Sequence, residues 1–352
     1  MILFDCEKLR GMLSGFYAYT YELGRALLAE SAVRTEPLGV YIPRQCEHLL
    51  PLDGVPRRYW HHLDKHFQPL GRDVRLFHAS SQLTRYTPRS WRVPVLTTVH
   101  DLNFLHMTPD CGHLEGLERR TDRAVRNATH IVTVSDFSAR DIINHYGIDP
   151  SRVTRIYNGV SRYAGPLQRP AGLPDRPFLL FLGRVTETKN VHVLPALLAG
   201  NDYTLVMAGP MDKIPVERDR VLEEAHRWGV GDRIVFLGPV QAAEKHYLYR
   251  HCEAFLFPSL CEGFGLPALE ALQYGKPVFL SRRTSLPEIG GDCAFYFNDE
   301  FDPEGMRKEF SDGMAAFARG ELSQEAIEAH IARFDWRQAA REYYDLYERL
   351  LR

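Results

Sequence analysis

Short runs of apolar residues alternate with longer amphipathic stretches along the chain. In the first half, apolar runs predict strands at residues 2–4, 74–78, 95–99 and 131–134, and amphipathic stretches at residues 17–28 and 114–127 predict helices. In the second half, fully apolar runs predict strands at residues 178–182, 204–208, 234–237, 254–257 and 277–281. Because these strands alternate with helices and many lack a polar face, the pattern predicts an α/β fold of parallel sheets covered by helices on both faces.

The pattern restarts after a proline-rich segment at residues 162–177. Prolines stiffen and extend a connection between domains, and a chain of 352 residues is long enough for two domains of ordinary size. We therefore predict one doubly wound domain at residues 1–165, a second at 166–335, and a C-terminal helix at 336–352 that can cross back to the first domain. In such sheets, ligands bind beyond the carboxyl ends of the strands.

Composition restricts the class of protein and of partner. Hydrophobic residues make up 45% and charged residues 25% of the chain, with a formal net charge of -2, which is ordinary for a globular protein and argues against a nucleic-acid partner. The six cysteines form no Cys-x-x-Cys pair, as expected in a reducing cytoplasm. No signal-peptide pattern and no run of ~20 apolar residues is present. We expect a cytoplasmic protein, with any membrane contact peripheral at the inner face.

The most informative segment follows the strand that ends at Phe257. It reads Glu262-Gly263-Phe264-Gly265-Leu266-Pro267 and leads into a predicted helix that contains Glu270. The backbone N–H groups of Gly265 and Leu266 would face an anion at the helix start. Glu262 and Glu270 could each accept hydrogen bonds from vicinal hydroxyls of one extended ligand. The alternative is that both glutamates are simply solvated.

A second constellation, Gly183-Arg184 with Lys189-Asn190, follows the strand at residues 178–182. Arg184 and Lys189 could present two cations to one diphosphate and so stabilise the charge of a departing nucleotide. The alternative is that Arg184 and Lys189 are ordinary loop residues exposed to solvent.

Two further polar segments follow strands in the first half. His100 comes directly after the strand at residues 95–99, where it could reach a bound substrate, although a structural histidine is an equal alternative. Ser135-Asp136 follows the strand at residues 131–134 and is interpreted as a helix N-cap.

Together these segments resemble the retaining glycosyltransferases of family 4, which have the GT-B fold. The resemblance spans nearly the whole chain, is densest at residues 178–297 and is looser before residue 95. The matching positions include His100-Asp101-Leu102, Val134-Ser135, Asn158-Gly159-Val160, Gly183-Arg184, Lys189-Asn190, Ala208-Gly209, Phe236-Leu237-Gly238, Pro258-Ser259, Glu262-Gly263-Phe264-Gly265-Leu266-Pro267, Glu270-Ala271 and Leu286-Pro287-Glu288.

The resemblance implies two Rossmann-like domains that face each other across a cleft, the first binding the acceptor and the second the nucleotide sugar. It implies that Glu262 contacts the donor sugar, that Glu270 contacts the nucleotide ribose, and that Arg184 and Lys189 hold the diphosphate. The other residues expected to bind the donor in the second domain are Gly183, Gly263, Phe264, Gly265 and Leu266.

In the first domain, the resemblance places His100 near the reacting face of the sugar and brings Gly15 close to the phosphates or the donor sugar. The loop here reads Gly11-Met12-Leu13-Ser14-Gly15, whereas the family often has Gly-Gly-x-Gly. The resemblance implies transfer with retention of the anomeric configuration, by front-face attack assisted by the leaving diphosphate. The sequence places no carboxylate as a covalent nucleophile.

We expect no cofactor and no metal. The chain contains no Asp-x-Asp motif, which fits stabilisation of the diphosphate by cationic side chains. His62 and His66 have the spacing of a metal pair on a helix, but the nearby sequence does not complete a site.

The expected partners are a nucleotide-sugar donor and a glycan or lipid-linked acceptor. Cations mix with aromatic residues at 57–62 and 85–92, which suits a phospholipid surface, a lipid-linked phosphate or sugar rings, and equally suits scattered surface residues. The resemblance points to a hexose donor, GDP-mannose ahead of UDP-sugars, and to bacterial surface polysaccharide such as lipopolysaccharide or capsule.

Three alternatives remain open at this point. A sugar-nucleotide epimerase could use the same fold without an acceptor. A phosphorylase would require a longer chain and a recognisable pyridoxal lysine. A non-catalytic nucleotide-sugar-binding protein is disfavoured by the presence of both glutamates and both cations.

Overall fold

The computed structural model describes residues 1–11, 14–65, 70–107, 114–211 and 216–352. His66, together with Met12 and Leu13 of the glycine loop, lies outside the described residues. The chain divides into two compact units, the first formed by residues 1–161 and 334–352 and the second by residues 162–333. Among the described residues, no helix has both the length and the apolar character required to cross a bilayer.

Within its described residues, the first unit contains one parallel sheet of seven strands in the order β3-β2-β1-β4-β5-β6-β7. The strands are β1 (Ile2–Asp5), β2 (Leu38–Ile42), β3 (Arg57–Tyr59), β4 (Leu76–Ala79), β5 (Val95–Val99), β6 (His130–Thr133) and β7 (Val153–Arg155). Its helices are α1 (Gly15–Ser31), α2 (Leu114–Asn127), α3 (Asp136–Tyr146) and, from the end of the chain, α10 (Trp336–Leu350).

Within its described residues, the second unit contains one parallel sheet of six strands in the order β10-β9-β8-β11-β12-β13. The strands are β8 (Phe178–Leu182), β9 (Thr204–Ala208), β10 (Ile234–Gly238), β11 (Ala254–Phe257), β12 (Val278–Ser281) and β13 (Phe295–Phe297). Its helices are α4 (Val216–Arg227), α5 (Ala242–His251), α6 (Leu266–Leu272), α7 (Leu286–Gly290), α8 (Pro303–Ala318) and α9 (Gln324–Ile331).

Both sheets are wound in the same way, which confirms the predicted α/β fold. In each, the chain adds its first three strands in one direction and then crosses to the other side of the first strand. The switch points therefore lie between β1 and β4 in the first unit and between β8 and β11 in the second. Ligands of doubly wound sheets bind in the crevice at this point, outside the carboxyl ends of the strands.

Some elements differ from the sequence prediction. Helix α1 begins at Gly15 rather than at residue 17, because the Ser14 side chain accepts a hydrogen bond from the backbone N–H of Tyr17 and caps it there. The strands that the sequence analysis missed are β2, β3, β7 and β13. Three of them are edge strands of only three residues each.

A buried polar network fixes α10 to the first sheet. His78 on β4 hydrogen-bonds to Tyr347 through Nδ1 (2.6 Å) and to Thr98 on β5 through Nε2 (2.9 Å). The hydroxyls of Tyr19 and Tyr343 lie 2.7 Å apart, and each also contacts the Thr98 hydroxyl. Burial lowers the pKa of His78 to about 3, so the ring is neutral at neutral pH. Four elements, α1, β4, β5 and α10, thus share one satisfied set of buried hydrogen bonds.

We expect the Tyr343→Phe substitution to destabilise the first unit by about 1–2 kcal/mol, because it removes two buried hydrogen bonds and keeps the ring. Tyr146→Phe is the matched control, because the buried Tyr146 hydroxyl has no hydrogen-bond partner within the described part of the chain. Urea unfolding followed by tryptophan fluorescence measures both variants. An equal effect of the two substitutions would contradict the role of the network.

Candidate functional site

Glycines follow three neighbouring strands of the second sheet at their carboxyl ends. Gly183 comes directly after β8, Gly209 comes directly after β9, and Gly238 ends β10. Gly209 has φ +133°, and a Cβ at this position would overlap the carbonyl group of Gly183. The backbone here also continues the hydrogen bonding of the sheet. The Gly183 N–H donates to the Ala208 carbonyl oxygen, and the Gly209 N–H donates to the Gly238 carbonyl oxygen. The loops after β8 and β9 can therefore approach each other this closely because Gly209 lacks a side chain.

An ion pair joins the two loops that flank the switch point of the second sheet. Lys189 ends a short 3-10 turn after β8, and its ammonium pairs with the carboxylate of Glu262, which follows β11. Both side chains are largely buried, at 20% and 13% exposure. The Lys189 ammonium also lies 5.4 Å from the centre of the Phe257 ring. The structure thus brings together two residues that are far apart in sequence and that the sequence analysis placed in one site.

The loop that carries Glu262 is held by the segment after β12. The Ser285 hydroxyl donates to the carbonyl groups of Glu262 (2.9 Å) and Phe264 (3.2 Å). The backbone N–H of Glu262 donates to the Thr284 hydroxyl (2.9 Å). Gly265 then adopts φ +100°, with α6 beginning at the next residue. The loop from Gly263 to Gly265 is buried and is fixed by the protein's own hydrogen bonds.

Glu270 lies one turn inside α6 and is held by two residues of α5. One carboxylate oxygen accepts from the Lys245 ammonium at 2.6 Å, and the other accepts from the Tyr249 hydroxyl at 2.9 Å. Burial, reinforced by Glu270, raises the pKa of Tyr249 well above its ordinary value, so the phenol remains a donor. Each carboxylate oxygen has a second lone pair, which leaves Glu270 able to accept from a ligand hydroxyl.

Lys245 and Tyr249 are functional candidates that the sequence analysis missed. They are four residues apart on one helix face, but no feature of the sequence connects them with a carboxylate on a later helix. Arg184, which was predicted, follows Gly183 directly and is exposed. It belongs to the same loop as Lys189.

In the first unit, His100 is held in one orientation and one protonation state. Its Nε2 lies 2.9 Å from the Ser80 carbonyl oxygen, which can only accept, so Nε2 carries a hydrogen. Because the pKa of the ring is low, the ring is neutral at neutral pH and Nδ1 keeps a lone pair. The rings of Phe16 and Tyr19 pack against it edge-on, with ring centres 4.9 and 4.5 Å away. Burial lowers the pKa of His100 to about 4, although the Ser80 hydrogen bond opposes this effect.

Gly15 is the first residue of α1 and is exposed. No described atom lies within 4 Å of where its Cβ would be, so the backbone is open to close approach. The predicted N-cap at Ser135 is confirmed, since its side chain accepts from the backbone N–H of Ser138.

Comparison with known proteins decides the family. The model for Glycosyltransferase Family 4 matches residues 17–162, and the model for glycosyl transferases group 1 matches residues 167–329. The two matches cover most of both units. The chain belongs to glycosyltransferase family 4.

Relatives and solved structures agree with this assignment. The serotype-specific mannosyltransferase WbdA of Escherichia coli is 31% identical over 244 residues, which are 64% of this chain but 29% of that protein. A D-inositol 3-phosphate glycosyltransferase of Salinispora tropica is 26% identical over 298 residues, 76% of this chain and 61% of that protein. The chain therefore spans less than two thirds of either relative.

The fold of this family 4 glycosyltransferase is GT-B. The structure of Anabaena Alr3699/HepE in complex with UDP-glucose matches it with a TM-score of 0.72 and 17% identity, covering 99% of both chains. Among the described residues of the glycosyltransferase, no three or more His, Cys, Asp or Glu side chains are arranged to hold a metal ion.

We expect Gly265→Ala to destabilise the glycosyltransferase by about 1–3 kcal/mol, because the residue would retain a left-handed backbone and its Cβ would lie 2.7 Å from the Leu286 side chain. Gly15→Ala is the matched control, because its position is open and its φ is ordinary. Thermal unfolding measures both. A melting temperature of Gly265→Ala equal to that of the control would show that the loop has another conformation.

Proposed function

We propose that the protein is a retaining, metal-independent hexosyltransferase that moves a sugar from a nucleotide diphosphate to a glycan or lipid-linked acceptor. The observation that carries the proposal is the pair of fixed carboxylates at the carboxyl edge of the second sheet. Glu262 is paired with Lys189, and Glu270 is paired with Lys245 and Tyr249. Such a site offers acceptors for sugar hydroxyls and a cation for phosphate within one fixed framework.

In this proposal, Glu262 accepts from the donor sugar and Glu270 accepts from the ribose. Arg184 and Lys189 hold the diphosphate and stabilise its charge as the glycosidic bond breaks. The donor-binding backbone is that of Gly183 and the segment Gly263-Phe264-Gly265-Leu266. Lys189 then lies between a protein carboxylate and the departing phosphate, so its ammonium is positioned before the charge develops.

His100 and Gly15 complete the proposed machinery from the first unit. The neutral His100 ring presents Nδ1 as an acceptor near the reacting sugar, while Nε2 stays bound to Ser80. The exposed backbone at Gly15 approaches the phosphates or the donor sugar. Transfer occurs on the front face, with the leaving diphosphate taking the proton of the acceptor hydroxyl.

The preferred donor is GDP-mannose, supported by the relative named a mannosyltransferase. UDP-sugars are second, supported by the related structure that holds UDP-glucose. The process we propose is assembly of bacterial surface polysaccharide on the cytoplasmic face of the membrane.

A thermal-shift panel with GDP, UDP, ADP and CMP, with and without EDTA, tests the proposal. We expect one diphosphate to stabilise the protein by about 2.7 kcal/mol at 100 times its Kd, and EDTA to change nothing. Glu270→Ala should abolish most of this shift, whereas Glu253→Ala, an exposed glutamate of the same unit, should not. No shift from any nucleotide would refute the proposal, and sugar-nucleotide conversion without an acceptor would favour an epimerase.

The pH profile of transfer tests the state of His100. Because its folded pKa is about 4, the ring stays neutral down to about pH 5, and lowering the pH from 8 to 5 should not reduce kcat/KM through this residue. The acid limb due to His100 should appear near pH 4. A limb near pH 6.5 that disappears in His100→Asn would contradict the buried, neutral ring.

A further inference from the structure

The first sheet has its own switch-point crevice, between β1 and β4. The segment after β1 carries Lys8, and the segment after β4 carries Leu83 and Arg85. Helix α2 adds Arg120. After the equivalent strand of the second sheet, Lys189 is paired with Glu262, and the nearby Lys245 of α5 is paired with Glu270. The crevice of the first unit has a different charge arrangement.

Two cations of this crevice converge on one neutral oxygen. The Lys8 ammonium donates to the Leu83 carbonyl oxygen at 2.8 Å, and the Arg120 guanidinium donates to the same oxygen at 2.7 Å. Their nitrogen atoms thus lie within two hydrogen-bond lengths of each other. Within the described ranges, neither side chain has a carboxylate within ion-pair distance. A carbonyl dipole offsets the repulsion between two such charges only in part.

The neighbouring acids do not supply the missing negative charge. Glu7 is committed to Arg85, accepting from its backbone N–H (2.8 Å) and lying 3.3 Å from its guanidinium. Asp5 is fully buried and accepts from the hydroxyls of Thr84 (2.8 Å) and Ser80 (3.2 Å). Burial, reinforced by Glu7, raises the pKa of Asp5 to about 7, so it is only partly ionised at neutral pH.

The energetics of Lys8 favour an added anion. Burial lowers its pKa, Glu7 and Asp5 oppose this effect, and the charges of Arg120 and Arg85 add to it. If Lys8 only held the loop at Leu83, one hydrogen-bond donor to the Leu83 carbonyl oxygen would be enough. A neutral side chain could donate this bond without the cost of burying a charge beside other cations.

The cluster is also connected to His100. The Ser80 hydroxyl donates to Asp5, and the Ser80 carbonyl accepts from His100 Nε2. The Gln82 side chain accepts from the backbone N–H of His100. One segment, residues 80–85, therefore positions both His100 and the cations.

We propose that Lys8 and Arg120, with Arg85 at the rim, bind a phosphate group of the acceptor. An ammonium and a planar guanidinium that converge on one point match the several oxygens of a phosphate. The inference rests on the proposed function and specifies its acceptor as a phosphorylated one. A lipid-linked phosphate and a soluble sugar phosphate share this chemistry.

The test is titration of inorganic phosphate into the full chain at constant ionic strength, with the donor site already saturated by the nucleoside diphosphate that binds it. We expect Lys8→Met and Arg120→Gln each to weaken phosphate binding about tenfold, the effect of losing one charge-assisted hydrogen bond. Arg123→Gln, an exposed arginine on the same helix, should leave it unchanged. Nucleotide affinity should be unchanged in all three, which also reports that they fold.

The outcomes separate this proposal from the proposed function. Normal nucleotide binding together with phosphate affinity that is absent, or unaffected by Lys8→Met and Arg120→Gln, would overturn the phosphate site alone. Absence of nucleotide binding would overturn the proposed function. Phosphatidylcholine vesicles with and without phosphatidic acid identify the source: binding that requires phosphatidic acid and Arg120 indicates a lipid-borne phosphate, and phosphate binding without vesicle binding indicates a soluble one.

Discussion

The reversal of winding at the centre of each sheet is the constraint on which the rest of the structure depends. Because the chain leaves β1 and β4, or β8 and β11, toward opposite sides, the loops after these strands separate and leave the carboxyl ends open. The candidate functional residues that follow strands are attached to these loops or to neighbouring strand ends. The backbone topology therefore decides where polar groups can meet a ligand, before any particular side chain is considered.

The two crevices then differ in how their charges are balanced. In the second unit, Lys189 and Lys245 each face a carboxylate. The backbone of Glu262 is held by the hydroxyls of Thr284 and Ser285, and the carboxylate of Glu270 is held by the Tyr249 phenol. Such groups keep their positions when a ligand arrives, so little binding energy is lost in ordering them. In the first unit, Lys8 and Arg120 share only a carbonyl oxygen. One crevice thus suits a ligand that both donates and accepts hydrogen bonds, and the other suits an anion.

The sequence predicted the doubly wound fold and the strands with uninterrupted apolar runs, because burial on both faces leaves a strong local pattern. It missed β3, β7 and β13, since three residues at a sheet edge leave too little pattern, and it missed β2 although Leu38–Ile42 lies between two prolines. Glu262 and Lys189 were found through their motifs. The contact of Lys245 with Glu270, and the approach of Lys8 and Arg120 to the same carbonyl oxygen, are tertiary contacts. Local sequence does not record such contacts. The roles of all these residues stay predictions.

The hydrogen bonds of Tyr343 and Tyr347 have a consequence for the order of folding. Helix α10 completes the first unit, yet it follows the whole of the second unit along the chain. During synthesis the ribosome releases every residue of the second unit before it releases the helix that His78 and Thr98 require. The second unit can therefore finish folding first, and a chain that ends before residue 334 contains a complete second unit and an incomplete first one.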